Sequence, residues 1–137
     1  MAAITVDSSR WPILCARLPA SSTDREVQDY LDQLRAFRER REPYALIIEA
    51  SASRGFSARQ RKMQADYIQS GMQLSRVYLR AFAFVADSPF QRGMLTAILW
   101  LNPPEWPHRI FRSTGEAIVW TSQMLEHQQR VAQQPAR

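Results

Sequence analysis

Four polar signatures, each standing between an apolar run and a helical pattern, constrain this chain more than any other feature. They are Thr23-Asp24-Arg25-Glu26, Ser57-Ala58-Arg59-Gln60, Ser88-Pro89-Phe90-Gln91 and Ser113-Thr114-Gly115-Glu116. In each, a hydroxyl accepts from the amide three residues on, and the Glu or Gln there reaches back to the hydroxyl residue's own amide. Strand-like runs precede them at Ile13–Leu18, Tyr44–Ala50, Ala81–Ala86 and His108–Phe111. Strands alternating with capped helices predict an α/β layer fold, a mixed and mostly parallel sheet of about five strands with about four helices. The fifth strand comes from the β-prone run Ala3–Val6, which pairs with Ile13–Leu18 as an antiparallel hairpin across the turn-like segment 7–12.

The helical segments differ in what they hide. Val27, Tyr30, Leu31, Leu34 and Phe37 lay one stripe along the first helix, which ends in the basic run Arg38-Glu39-Arg40-Arg41 before Pro43. Met63, Tyr67, Gly71 and Leu74 form the stripe of a second helix that runs from Ser57 through Gly71, where the missing side chain permits a close approach. The third, Pro89 to Leu101, is apolar around nearly its whole circumference. It is therefore buried on more than one side or packs against something outside the chain. Ala117, Trp120 and Met124 face inward on the fourth, and residues 127–137 read as a frayed tail beyond a single domain at 1–126. Ala45-Leu46-Ile47-Ile48 and Ala81–Ala86 are apolar without alternation, the pattern of strands covered on both faces.

At 137 residues the chain has length for one ordinary core. Cys15 stands alone, which excludes an intramolecular disulfide and a cysteine metal cluster. No secretory leader pattern opens the sequence, and Met94–Leu101 is far short of the roughly 20 apolar residues a membrane span needs. A cytoplasmic protein is expected. The net charge is +5, with Lys62 the sole lysine. A surplus this small, spread over a surface, is ordinary solvation.

Chemistry-bearing motifs are scarce. The histidines His108 and His127 have no nucleophile in a recognisable setting, and no nucleotide-binding or metalloprotease signature occurs. No catalytic residue, metal or cofactor is expected, and Cys15 reads as a buried, inert thiol. The segment 49–57 stands out because it joins the carboxyl end of a buried strand to a helix N-terminus, where an anion is electrostatically favoured. Ser51, Ser53, Arg54, Ser57 and Arg59 are its candidate anion-binding or regulatory residues, although capping alone accounts for Ser57.

The order of elements, the apolar strand closing on Glu49 with Ser51 after it, and the strand Phe82-Ala83-Phe84-Val85 resemble the STAS domain, the SpoIIAA-like fold of anti-sigma-factor antagonists. Ser88-Pro89, Arg92-Gly93, Thr96-Ala97, Trp100 and Pro103-Pro104 resemble the pattern of small stand-alone bacterial STAS-like proteins. The resemblance implies a binding module without catalysis. In the antagonist branch it also implies a phosphorylated serine at the start of helix two; only Ser57 stands in that place, without the acidic residue and paired serines of that run.

The leading expectation is a non-catalytic protein–protein interaction or regulatory module, its partner another protein or a second copy of itself. Phe90, Met94, Trp100 and Trp106 are the candidate contact surface. The alternative is a small-molecule or lipid-binding domain with helix 90–101 as its lid. Nucleic-acid binding ranks last. It would require Arg35, Arg38, Arg40, Arg41, Arg54, Arg59, Arg61 and Lys62 on one face.

Overall fold

The computed structural model describes residues 3–133. The elements are β1 (Thr5–Arg10), β2 (Ile13–Arg17), α1 (Asp24–Arg38), β3 (Tyr44–Glu49), α2 (Ala58–Ser70), α3 (Met72–Tyr78), β4 (Leu79–Val85), α4 (Pro89–Leu101), β5 (His108–Phe111) and α5 (Thr114–Gln133). The five strands form one sheet in the order β1-β2-β3-β4-β5. β1 is antiparallel to β2, and every later neighbour is parallel. The α/β class, the five-stranded mixed sheet and the opening hairpin are as the sequence predicts. The hairpin is longer, because β1 continues through residues 7–10 that read as connector.

Side chains alternate across the sheet and separate two cores. Leu14, Ala16, Leu46 and the partly buried Ile48 and Phe82 face α1, whose Val27, Tyr30, Leu31 and Leu34 close over them. Ile13, Ile47, Ala83 and Val85 face the opposite way, toward Ala117, Ile118, Trp120 and Leu125 of α5. This second face is rich in small residues, and the fully buried Ala45, Ala81 and Ala83 let one helix lie close against it. Thr121, also fully buried there, satisfies its hydroxyl on the Ala117 carbonyl of its own helix (2.8 Å).

The caps form unequally. Thr23 and Ser57 each make both halves of the box. Ser88 accepts from the Gln91 amide, with Pro89 in the first turn, but the Gln91 side chain leaves the box and donates to the Ser51 carbonyl (2.8 Å). The Glu116 amide donates to Ser113 Oγ at 3.3 Å.

Three expectations need correction. The second helix does not run through Gly71; it breaks there into α2 and α3, giving five helices. Gly71 has ordinary backbone angles (φ −122°), and what demands glycine is space: an added Cβ would fall on the Arg38 guanidinium. Arg38 is buried, donates Nη1 to the Tyr67 carbonyl (3.0 Å) and lies over the Tyr67 ring at 4.2 Å. Next, the chain stays helical past His127 to Gln133, because Gln128 Nε2 donates to the Arg80 carbonyl (2.9 Å) and ties α5 to β4; residues 134–137 lie outside the described residues. Finally, β4 is not covered on both faces. Its residues alternate between buried and partly buried, with Phe82 and Phe84 incompletely covered on the face opposite α5.

Gly71→Ala is expected to lower unfolding stability by about 1–3 kcal/mol through overpacking against Arg38, against the ~1 kcal/mol that alanine gains in helix propensity. In an Arg38→Ala background the same change becomes neutral or stabilising. Urea unfolding of the double-mutant cycle measures the coupling, and equal losses in both backgrounds would remove the contact as the cause.

Candidate functional site

The half-covered face of β4 is the floor of a groove. Register pairs Leu46 with Phe82 and Ile48 with Phe84, so four large apolar side chains lie together on one face. The two phenylalanine rings stack with centroids 4.7 Å apart. Tyr30 and Leu34 of α1 and Tyr67 and Ile68 of α2 form one wall; Met94, Leu95 and Ile98 of α4 form the other, around about 560 Å³ of space. The space runs on into a bay of about 480 Å³ bounded by Ala50, Ser53, Gly55, Ala86, Phe90 and Gln91, beyond the carboxyl ends of β3 and β4. Ligands of open α/β sheets bind in that region.

α4 is the unusual wall. Phe90, Met94 and Ile98 repeat every four residues along its groove side, yet they remain 77%, 51% and 56% exposed, and Leu99 alone on this helix is buried. Its anchors lie at the ends. At the start, Ser51 Oγ accepts from the Asp87 amide (3.1 Å), Gln91 Nε2 reaches Ser51 O, and Arg92 Nη1 donates to the Ala86 carbonyl (2.9 Å). At the far end, its main contact with the sheet is β5. Gln91 Oε1 is enclosed and has no partner among the described residues.

The mouth is set by the loop after β3. Arg54 N donates to the Ala20 carbonyl (3.0 Å) and Gly55 N to Ser53 Oγ (3.1 Å); Gly55 sits at φ +99°, which an L side chain rarely adopts. The groove and bay together are lined by two charged residues, Arg54 and Arg61, and by no carboxylate. Arg61 Nη1 donates to the Phe56 carbonyl (2.7 Å), while Arg54 makes no ion pair among the described residues. Burial holds the Tyr30 and Tyr67 phenols above their ordinary range, so both enter the groove wall neutral. A wider depression of about 740 Å³ lies at the opposite end, but it is polar, and Glu39 accompanies its arginines Arg38, Arg41 and Arg76.

The residues singled out from the sequence divide. Ser53 and Arg54 line the groove. Ser51 is instead a strand-end tie between β3, β4 and α4: its amide donates to Glu49 Oε1 (3.0 Å) and its hydroxyl and carbonyl are both occupied. Ser57 caps α2, and Arg59 pairs with Asp24 (3.4 Å), away from the groove. Among the candidate contact residues, Phe90 and Met94 face the groove. Trp100 is 84% exposed beside a shallow dip with Thr96, His108 and Ile110. Trp106 departs from the expected surface: it packs on the α1-side core and donates Nε1 to the Ser75 carbonyl (2.9 Å). Sequence reasoning named Arg61 only as a nucleic-acid contact and missed Gln91 and the floor residues as parts of this site. The alternation of Phe82 and Phe84 with Ala81 and Ala83 was the available signal.

Other chemistry is occupied. Burial pushes the Cys15 thiol up, and His108 Nδ1 lies 3.0 Å from the Trp106 carbonyl. Among the described residues no group of three or more His, Cys, Asp or Glu could hold a metal, and no helix is long and apolar enough to cross a membrane. Of the basic residues named for nucleic acid, Arg38 is buried, Arg35, Arg59 and Lys62 pair with Asp32, Asp24 and Asp66, and Arg54 and Arg61 line the groove.

No protein-family model and no curated protein matches the chain. The chain is similar in structure to an uncharacterized protein of the DUF3478 family with a SpoIIAA-like fold from Shewanella loihica PV-4. The TM-score is 0.64 at 16% identity, over 87% of this chain and 92% of that one. The fold is therefore SpoIIAA-like, as the resemblance in the sequence implied.

The two tryptophans separate surface from core. Trp106→Ala is expected to cost about 2–4 kcal/mol through lost packing and an orphaned carbonyl, while Trp100→Ala stays within about 0.5 kcal/mol of the parent. Urea unfolding of both variants checks this, and a reversed order would contradict the placement of the two rings.

Proposed function

We propose that this SpoIIAA-like domain is a non-catalytic binding module whose ligand is an apolar small molecule or lipid chain, held between α2 and α4 with α4 as its lid. The observation that carries this is the pairing of an uncovered sheet floor with an uncovered helix. Phe82 and Phe84 are only partly buried, across the groove from a helix whose facing stripe is more than half exposed. A space of about 560 Å³ falls within the roughly 300–1,000 Å³ of small-molecule sites. An ordinary α/β crossover helix closes this gap with its own side chains, and exposed apolar surface on this scale marks a site of interaction.

A second reading keeps the expected protein partner or second copy on another side of the same helix, where Trp100 is 84% exposed. One helix would then carry both surfaces, and a ligand that draws α4 inward would also reposition Trp100. Such coupling is how a binding module without chemistry can regulate.

Titration with N-phenyl-1-naphthylamine, a neutral apolar fluorophore, tests the groove. Saturable enhancement at one site is expected, together with a rise in melting temperature by mass action. Ile98→Asp puts a charge on an already exposed position in the groove wall, so folding is retained while affinity falls about tenfold or more, the scale set by desolvating an unpaired charge. Non-saturable enhancement, or affinity unchanged by Ile98→Asp, would remove the apolar site.

A further inference from the structure

Resting on the reading of this groove as a ligand site, we propose that its occupant is a single-chain amphiphile with a carboxylate head: a free long-chain fatty acid, its tail on the phenylalanine floor and its head at Arg54 and Arg61.

The charge distribution carries the proposal. Leu46, Ile48, Phe82 and Phe84 offer a continuous apolar bed, while the groove and its bay contain two guanidinium groups and no acidic side chain. Arg17, Arg35, Arg59, Lys62 and Arg76 each stand within salt-bridge distance of a carboxylate. Arg54 makes no ion pair among the described residues, as is also true of Arg10, Arg25 and Arg40, but unlike them it lines the groove, its backbone fixed by the Ala20 carbonyl and by the positive-φ glycine that follows. Arg54 is thus held at the boundary of an apolar groove with its fork free for a planar anion, the geometry that guanidinium and carboxylate share. Arg61 is fixed by the Phe56 carbonyl and supplies a second positive charge. A neutral apolar guest would leave Arg54 unused, and a cationic one would be repelled.

Displacement of N-phenyl-1-naphthylamine by matched chains at about pH 8, where a carboxylic acid is ionised, tests this. Dodecanoate is expected to compete about tenfold more strongly than 1-dodecanol, the scale of one charge-assisted hydrogen bond at a partly exposed site. In Arg54→Gln the preference falls to about threefold or less, and in Arg54→Gln/Arg61→Gln it disappears, while the neutral probe binds all forms equally. Equal competition by the acid and the alcohol, or a preference that survives both substitutions, overturns the carboxylate assignment and leaves the apolar site standing. Dodecyl phosphate or phosphatidylglycerol vesicles binding where dodecanoate does not would also overturn it, in favour of a phosphate head or a membrane surface. Loss of probe binding to the parent protein overturns the groove itself.

Discussion

The structure depends on a sheet whose parallel strands run in sequence, β2 to β5, without a reversal of order. Right-handed crossovers that always step the same way must place their helices on the same face. α1, α2, α3 and α4 therefore share one side, and α5 alone is left for the other. The two faces solve the resulting problem with opposite residue types. Alanines at 45, 81 and 83 reduce the single-helix face to something α5 can cover. Large side chains at 46, 48, 82 and 84 enlarge the other face beyond what those helices close.

Where the crossover helices meet, local contacts set their positions. The α2–α3 break at Gly71 admits the Arg38 guanidinium, which brings the end of α1 against the α2–α3 junction. On the other side of the groove the Ser51 network fixes the start of α4, and Gln91 abandons its own cap to complete it. Polar ties to backbone carbonyls thus fix elements on both sides of the groove.

Much of the frame was legible in the sequence, because capping and strand patterns are local. The boxes at Thr23 and Ser57, the stripe on α1 and the hairpin all follow from residues within a few positions of one another. What escaped was set by distant partners. Gly71 reads as a tolerated gap in a helix until Arg38 arrives from another element. Trp106, between prolines, reads as surface until the Ser75 carbonyl accepts its indole. Residues 127–133 read as frayed until Gln128 finds Arg80. The site was legible in part: Ser53 and Arg54 were singled out for the charge and dipole of their loop, and they do stand at the mouth. Their chemistry had been read without the groove, because Ala81–Ala86 looked covered on both faces. Phenylalanine and alanine count alike as apolar, but the alternation of large and small is what divides a groove floor from a helix seat.

The all-apolar α4 illustrates why composition needs the backbone beside it. A helix apolar on every side has to be enclosed, or meet something else, or stand in more than one place. Here Leu99 alone is buried, so enclosure by the chain itself is ruled out for the described arrangement. Detachment is also ruled out, since the Ser88 cap, the Gln91 tie and the Arg92 bond hold its first turns. If α4 acts as the proposed lid, it tilts toward the floor from the start that these bonds hold. Phe90, Met94 and Ile98 lie on the side that such a tilt would bury. The same movement would carry Trp100, on another side of the helix, relative to solvent. In that reading, burial along one stripe and display along another change together.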